Sequence, residues 1–575
     1  MVIRFLRNGR DTLQKTYTGA GRAFSFLTAE VRGLQAAAYI LAVSSFLSSI
    51  LALLRDRLLA HLFGAGSLLD LYYAAFRIPD AVFIGIGALV SVYMLIPELA
   101  RRDRAAQERY LDSVVGGFAA LVFLVGIGAA FIAPWILARA FPVLAAGDSF
   151  GTLVFLTRIL LLQAAFLGFS NIAAALTQFK HRYALYALSP IVYNVGIILG
   201  ALVLYPMMGL PGLVWGVVIG AFLHLGIQLP SIFRDGFFRH LPQLSEIGAF
   251  LETVRLSLPR ALALSMNQLA FFGLLALAGT LPVGSISVFM FAYNLQGVPL
   301  SIIGASYATA AFPMLAYAFS QGKSDVFLAQ MGIAARQILF WSMPVIAIMI
   351  VLRAHIVRAI LGSGAFDWTD TRLTAAALAL FVISLAAQGV SLLLIRACYA
   401  SGKTLVPFMV SAVTAGLTVI LGISYLHIVQ STPEVSNFLE ALLRVEDLVG
   451  TDVLMLAFAY SVASIIGVFI LVMYFQIRFG TFFGEIGASW WESLTAALAS
   501  GAATYATLHV IGDITLATTL LSIVTKAAAA GLIGCLAAAL VYYVLGSREF
   551  AENSLALRRR IWKDVEPVTS AEQTA

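Results

Sequence analysis

Charge is scarce in this chain. Asp, Glu, Lys and Arg make up 11% of 575 residues, against 61% hydrophobic residues. A soluble protein of this length folds as several domains with charged, mixed surfaces, and too few charges are present to build them. Cysteine is nearly missing: the two residues, Cys398 and Cys535, both lie inside apolar runs. That excludes a disulfide framework and a thiolate metal site and leaves both as small hydrophobes. The 7 histidines are scattered without ligand spacing, so no metal is expected. There is no P-loop. The GIGA at 85–88 lacks the third glycine and the preceding strand of a dinucleotide fingerprint and reads as close helix packing. No cofactor is expected. The opening MVIRFLRNGRDTLQKTY is basic but has no apolar stretch ending in a small-residue cleavage site. It is not a signal peptide, and residues 1–32 are expected to form a cytoplasmic arm.

What the chain does have is apolar runs. Mean hydropathy is +0.93, and runs of about 20 residues or more, each long enough to cross a bilayer core as a helix, recur from residue 33 to residue 545. About fourteen spans are expected, which makes the fold class all-α and polytopic. With the N-terminus inside, about 22 Lys and Arg collect in the cytoplasmic connections, and the outer ones keep one or two, such as Arg444. The formal charge of +7 therefore reads as membrane orientation, and nucleic acid is not expected as a partner.

A repeat is visible. The stretch FRIPDAVFIGIGALVSVYMLIPELAR aligns without a gap on AYNLQGVPLSIIGASYATAAFPMLAY at an offset of 216 residues, with Pro97 on Pro313 and Leu99 on Leu315. TQFKHRYALYALSPIV and YASGKTLVPFMVSAV are loosely similar at nearly the same spacing. Parallel six-span repeats build a two-lobed transporter with a central site. The expected division is an N-lobe over 33–232, a C-lobe over 248–477, two further helices over 488–545 and a cytoplasmic tail over 546–575.

Against this background LLRDRLLAHLFGAGSLLDLYYAAFRIPD, residues 53–80, stands out, because it places Arg55, Asp56, Arg57, Asp70, Arg77 and Asp80 between apolar runs. A charge at the bilayer centre costs roughly 2.5–3.5 kcal/mol on insertion scales. Such residues face a cavity or a partner unless they snorkel to the interface. Arg57 suits an interfacial cap, whereas Arg77 lies deeper, and Pro79 interrupts the helix ladder just before Asp80. A broken polar helix of this kind lines a polar cavity.

The same stretch resembles the first two helices of the MurJ/MviN family, which read R-D, then I/L-F-G-A-G, then D-x-[FY]-[FY]-x-A-F-[RK]-[IL]-P. Here these are Arg55-Asp56, Leu62 to Gly66, Asp70, Tyr72-Tyr73 and Ala75 to Pro79. LGSGAFDWTDTRLTAAALALFVISL (361–385) and IRACYASGKTLVPF (395–408) are similar to two further family segments. The resemblance implies the multidrug/oligosaccharidyl-lipid/polysaccharide flippase fold, with the last two helices forming a groove for a lipid tail. It implies lipid II, or a similar undecaprenyl-pyrophosphate-linked saccharide, as substrate. It further implies alternating access in the bacterial cytoplasmic membrane and no enzymatic step. A monomer surrounded by membrane lipid is expected.

Candidate substrate-binding residues are Arg55, Asp56, Asp70, Arg77, Asp80, Arg260 and Asn294. Of the family's further cavity arginines, the aligned positions hold Ser49, Phe83 and Asn294, so only Arg55 is kept. Arg260 either supplies a replacement charge or snorkels at the interface. The position of the family's sodium-binding acid holds Leu274, which speaks against sodium coupling. These departures keep open a flippase for another polyprenyl-pyrophosphate-linked saccharide. A drug antiporter would want acidic cavity residues, and a glycosyltransferase would want carboxylates in large outer loops. Neither pattern fits.

Overall fold

The computed structural model describes residues 34–90, 92–237, 246–479, 482–512 and 518–561. The expected arm at 1–32 and the end of the tail lie outside them. No strand occurs among the described residues. Among the described residues twelve helices are long and apolar enough to cross a membrane, or thirteen if Trp368–Val382 and Leu385–Ala400, bent by 45°, form one span. Leu34–Phe63 is a further helix of 30 residues outside that set, where about fourteen spans were expected.

Packing divides the chain into two compact units. One runs to Met290 and includes Ile360–Asp367; the other takes Phe291–Ala359 and continues from Trp368. This is a partition by contact, and it differs from the repeat-based one in leaving Ile247–Ala278 with the first unit. The first unit contains α1 (Leu34–Phe63), α2 (Ser67–Ala75), α3 (Arg77–Gly87), α4 (Val92–Ala100), α5 (Arg104–Ala140), α6 (Phe150–Phe179), α7 (Tyr183–Leu199), α8 (Leu210–Gly226) and α9 (Ile247–Ala278). Its core is a cluster around Leu95, Tyr110, Phe118, Leu176 and Phe237. Outward it shows bare apolar side chains, Phe131 at 84% exposure and Leu124 at 73%. A soluble surface would not tolerate these, but a hydrocarbon phase accepts them.

The second unit contains most of α10 (Ser285–Pro299), then α11 (Ser306–Ser320), α12 (Ser324–Ile360), α13 (Trp368–Val382), α14 (Leu385–Ala400) and α15 (Leu405–Ser431). It continues with α16 (Pro433–Leu443), α17 (Val453–Phe479), α18 (Phe482–Ile511), α19 (Leu520–Val544) and α20 (Arg548–Ile561). Its core gathers Leu315, Phe327, Met331, Leu393 and Phe475. The described part of the tail expected over 546–575 contains α20, which contacts α12: Arg336 Nε meets Glu549 Oε1 at 2.8 Å, and Asn553 donates to Gln337 at 2.9 Å.

Interruptions fall at matching places in the two aligned spans. A 3₁₀ turn at Ala88–Val90 follows α3, and a π-helical turn at Leu300–Ala305 follows α10. Interrupted ladders leave carbonyls to satisfy. In the second span Arg396 reaches across to the Ala305 carbonyl at 3.1 Å. Arg158 likewise takes the Ala130 carbonyl at 3.1 Å. Both arginines act as the structural partners of carbonyls that their place inside apolar spans suggests.

The second aligned pair shares a turn. After α6, Arg182 N–H donates to the Thr177 carbonyl at 2.8 Å and His181 N–H to Gln178 at 2.9 Å. After α14, Lys403 donates to Cys398 at 2.9 Å and Gly402 to Tyr399 at 3.1 Å. This is the helix-ending motif whose outer residue is left-handed. Gly402 has φ +71°, whereas exposed His181 has φ +55°, which strains a residue with a Cβ by roughly 1–2 kcal/mol. His181→Gly is expected to stabilise the fold by about 1 kcal/mol, read as a higher thermal midpoint in detergent.

α7 and α8 cross backbone to backbone. A Cβ on Gly196 would stand 2.3 Å from the Gly220 Cα, and one on Gly216 would stand 2.3 Å from the Gly200 Cα. The pairs Gly196/Gly200 and Gly216/Gly220 are each a small-xxx-small motif, and they face each other. Even alanine must push backbone aside here. Gly216→Ala is expected to cost roughly 1–3 kcal/mol, measured as a lower midpoint in the same assay.

Candidate functional site

The site of interest lies in the first unit, where α1 ends and α2 and α3 begin. α1 carries no charge until Arg55 and stops after Phe63 at Gly64, which takes φ +60°. Gly66 in extended backbone starts α2. Between α2 and α3, Pro79 has no N–H for the Ala75 carbonyl, yet Asp80 N–H still reaches the Phe76 carbonyl at 2.8 Å. The chain stays helical with one rung missing.

Arg55 and Asp56 form one knot. Arg55 Nε and Nη2 both donate to Asp56 Oδ1, at 3.0 and 2.8 Å, and Nη1 donates to Asn194 Oδ1 at 3.1 Å. The Asn194 amide is oriented by its own N–H, which donates to the Pro190 carbonyl at 3.0 Å. The Asp56 side chain is 5% exposed while that of Arg55 keeps 21%. A guanidinium has five N–H groups, and three bonds here leave two for something outside the knot.

Arg77 is held differently. Its Nε donates to the Tyr73 carbonyl at 3.0 Å, its Nη2 meets Asp80 Oδ2 at 3.2 Å, and its plane lies over the Phe271 ring at 5.4 Å. The Arg77 side chain is 4% exposed and that of Asp80 27%. The expectation that Arg77 lines a cavity is corrected on this geometry: the guanidinium is folded back on its own helix, and Asp80 carries the open edge of the pair. The two pairs share one neighbourhood. Tyr72 is within electrostatic reach of Arg55, Asp56 and Asp80, and Tyr73 of Asp56, Arg55 and Arg77. Tyr193 is in reach of Asp80 and Arg55.

Asp70 stands apart from these pairs. It is 5% exposed, and its carboxylate accepts from Gly284 N–H at 2.6 Å, Ser287 N–H at 2.8 Å and the Ser287 hydroxyl at 2.6 Å. It caps the start of α10, where backbone donors have no partner inside the helix. The cavity-lining reading of Asp70 is therefore corrected to that of an N-terminal cap. Arg260 is half-buried on α9, 11 residues before Phe271, or about 16 Å of helix rise. That puts it beyond the Arg77 contact. Asn294 is half-buried on α10 in the second unit. Its neighbour Tyr293 stacks edge-on with Phe381 and Tyr460, with ring centroids 5.8 and 5.7 Å apart.

Sequence reasoning missed Asn194 and Tyr193. They lie about 140 residues from Arg55 in an apolar helix, and only the sequence pair Tyr-Asn inside an apolar run marks them. Arg57 behaves as an end cap: it donates to the Ile360 carbonyl at 2.9 Å, beside the bond from Ala365 N–H to the His61 carbonyl at 2.9 Å.

An all-helical, many-span membrane protein with interrupted spans and a half-open, counter-charged guanidinium between helices belongs to the class of membrane transporters. Comparison with known proteins is more specific. Residues 59–525 match the family model described as lipid II flippase MurJ, and the chain belongs to that family. A probable lipid II flippase MurJ of Thermotoga maritima is 28% identical over 462 residues, covering 77% of this chain and 91% of its own. The lipid II flippase MurJ of Burkholderia cenocepacia is 26% identical over 365 residues, 60% of this chain and 70% of its own. Among solved structures, a lipid II flippase MurJ in an inward closed conformation superposes with a TM-score of 0.69 at 20% identity, over 91% of this chain and all of that one. An inward-facing multidrug resistance MATE family transporter of the MOP superfamily gives 0.59 at 14% identity, over 76% and 95%. At these identities the superpositions establish the fold.

Asp70→Ala would strand three buried donors and is expected to cost roughly 2–4 kcal/mol. The check is thermal unfolding of the purified protein, in which a variant as stable as wild type would refute the cap.

Proposed function

We propose that this chain moves lipid II from the cytoplasmic to the outer leaflet by alternating access, with both termini in the cytoplasm of a bacterial cell. The observation that carries this reading, beside family membership, is the Arg55 knot. A guanidinium pre-oriented by Asp56 and Asn194, with two N–H groups to spare, suits a pyrophosphate, which binds planar, permanently charged donors through two oxygens at once. The carboxylate beside it offsets the cost of keeping the cation in an apolar bundle when no substrate is bound. It also keeps the attraction weak enough for release. Asp56 and Asp80 then hold the arginines, and the anion meets Arg55. Water around the knot would be displaced by the head group while the polyprenyl tail stays in lipid.

A second reading, transport of another polyprenyl-pyrophosphate-linked saccharide, is favoured by Ser49, Phe83 and Asn294 standing where family members carry arginine. The pyrophosphate chemistry is common to both.

The test is rescue of bacteria depleted of their own lipid II flippase. Wild type is expected to restore growth. Arg55→Ala is expected to lower flipping by ten-fold or more at normal membrane abundance, in line with the roughly 1.5–3 kcal/mol of a charge-assisted hydrogen bond, and Arg55→Glu to abolish it. Arg77→Ala is expected to act through abundance, by loosening α3. Wild type that is abundant yet fails to rescue would move the assignment to the second reading. Full transport by Arg55→Glu would end both.

A further inference from the structure

The second unit holds a cavity of about 680 Å³ where α12 closes, α13 opens, the loop after α16 turns and α18 ends. Arg353, Arg372 and Arg444 line it, together with His355, His509 and Trp368. Under the orientation proposed above this is the outer end, where basic residues are otherwise sparse. Their convergence on one hollow runs against the trend of the whole chain.

The cavity's charge is one-sided. Arg372 is matched: it forks onto Asp447 at 2.7 and 2.6 Å, a contact that holds the Asp447 carboxyl below the usual carboxylate range. Arg353 donates to the Ile350 carbonyl at 2.9 Å and to the Leu443 carbonyl at 3.5 Å, and Arg444 nearby repels it. Among the described residues neither Arg353 nor Arg444 has a carboxylate partner. Arg444 also stands in left-handed backbone at φ +61° at the end of α16. It closes that helix by the turn already seen at His181, with Arg444 N–H on the Ala441 carbonyl at 3.2 Å and Val445 N–H on the Glu440 carbonyl at 2.9 Å. The rest of the wall is apolar, with Leu442, Leu443 and Leu508. Beside it α18 exposes Tyr505 at 56% and Val510 at 85%, side chains suited to the lipid phase.

Two facing guanidiniums without counter-charge, set in a half-apolar hollow at the membrane surface, are complementary to an anion that carries an apolar attachment. We infer that this cavity is a phosphate-binding site, filled by the phosphate of an anionic lipid head group at the outer surface. The site is separate from Arg55 and rests on the proposed orientation, not on which lipid-linked substrate is moved. Phosphate in solution has the same chemistry, and the two sources are separable.

The delipidated full-length protein is titrated separately with phosphatidylglycerol, phosphatidylcholine and inorganic phosphate. Its thermal midpoint is followed, and retained lipid is counted by native mass spectrometry. Phosphatidylglycerol is expected to raise the midpoint and phosphatidylcholine to leave it unchanged. Arg444→Gly and Arg353→Gln are each expected to weaken the response about five-fold, as loss of one cationic side chain near the surface should. Arg444→Gly also relieves the left-handed backbone, so its loss of binding cannot be put down to misfolding. Arg478→Gln, on an exposed residue at the opposite end of α17, is the control and is expected to behave as wild type. An equal response to inorganic phosphate, lost in the same variants, supports the site and names soluble phosphate as its ligand. No anion-dependent shift in wild type, or an undiminished one in the Arg353→Gln/Arg444→Gly double variant, overturns the inference.

Discussion

A charge buried in an apolar bundle has to find its counterpart inside the protein, because neither water nor lipid will supply one. This constraint explains where the few charges of the first unit sit. Asp56 is spent on Arg55, Asp80 on Arg77, and Asp70 on the open backbone donors at the start of α10. Arg158 and Arg396 are spent on carbonyls left over by helix geometry. At the end of α1 what remains is the open edge of Arg55. A chain that avoids charge thereby marks its working groups by their residual exposure.

The same constraint governs the backbone. The spans are interrupted by the 3₁₀ turn at Ala88–Val90 and the π-helical turn at Leu300–Ala305, and in the second Arg396 takes up the Ala305 carbonyl. Where helices must come closest, at the α7–α8 crossing, side chains are removed altogether and four glycines meet. Interrupted spans and close crossings are the places where a helical bundle can change its tilt without tearing its hydrogen bonding.

Much of the fold was legible in the sequence because the bilayer imposes a length. Apolar runs between charged connections are one-dimensional signals, and reading them returned the class and, to within one or two spans, the number of long apolar helices among the described residues. The charged stretch was legible for the same reason, since Arg55 and Arg77 interrupt runs that otherwise contain no charge. The partners were not legible. Asn194 and Ser287 lie about 140 and about 217 residues from the groups they bind, and nothing local in their surroundings announces the contact. Asp70 shows the limit most clearly: an acid seven residues before Arg77 on one chain suggests a shared polar face, yet folding turns it toward the start of another helix. Gly196, Gly200, Gly216 and Gly220 did have a local signature, a spacing of four within each helix, but which helices pair is a three-dimensional fact.

α12 joins two features that have been described separately. Near one end Arg336 grips Glu549 of the C-terminal helix, and 17 residues further on Arg353 lines the basic hollow, roughly 25 Å away along the axis. A single continuous helix thus carries both features. Pro344, lying between the two, removes one rung of hydrogen bonding and gives this strut its joint. The contact of the C-terminal helix and the lining of the basic hollow therefore share one helix, with Pro344 between them.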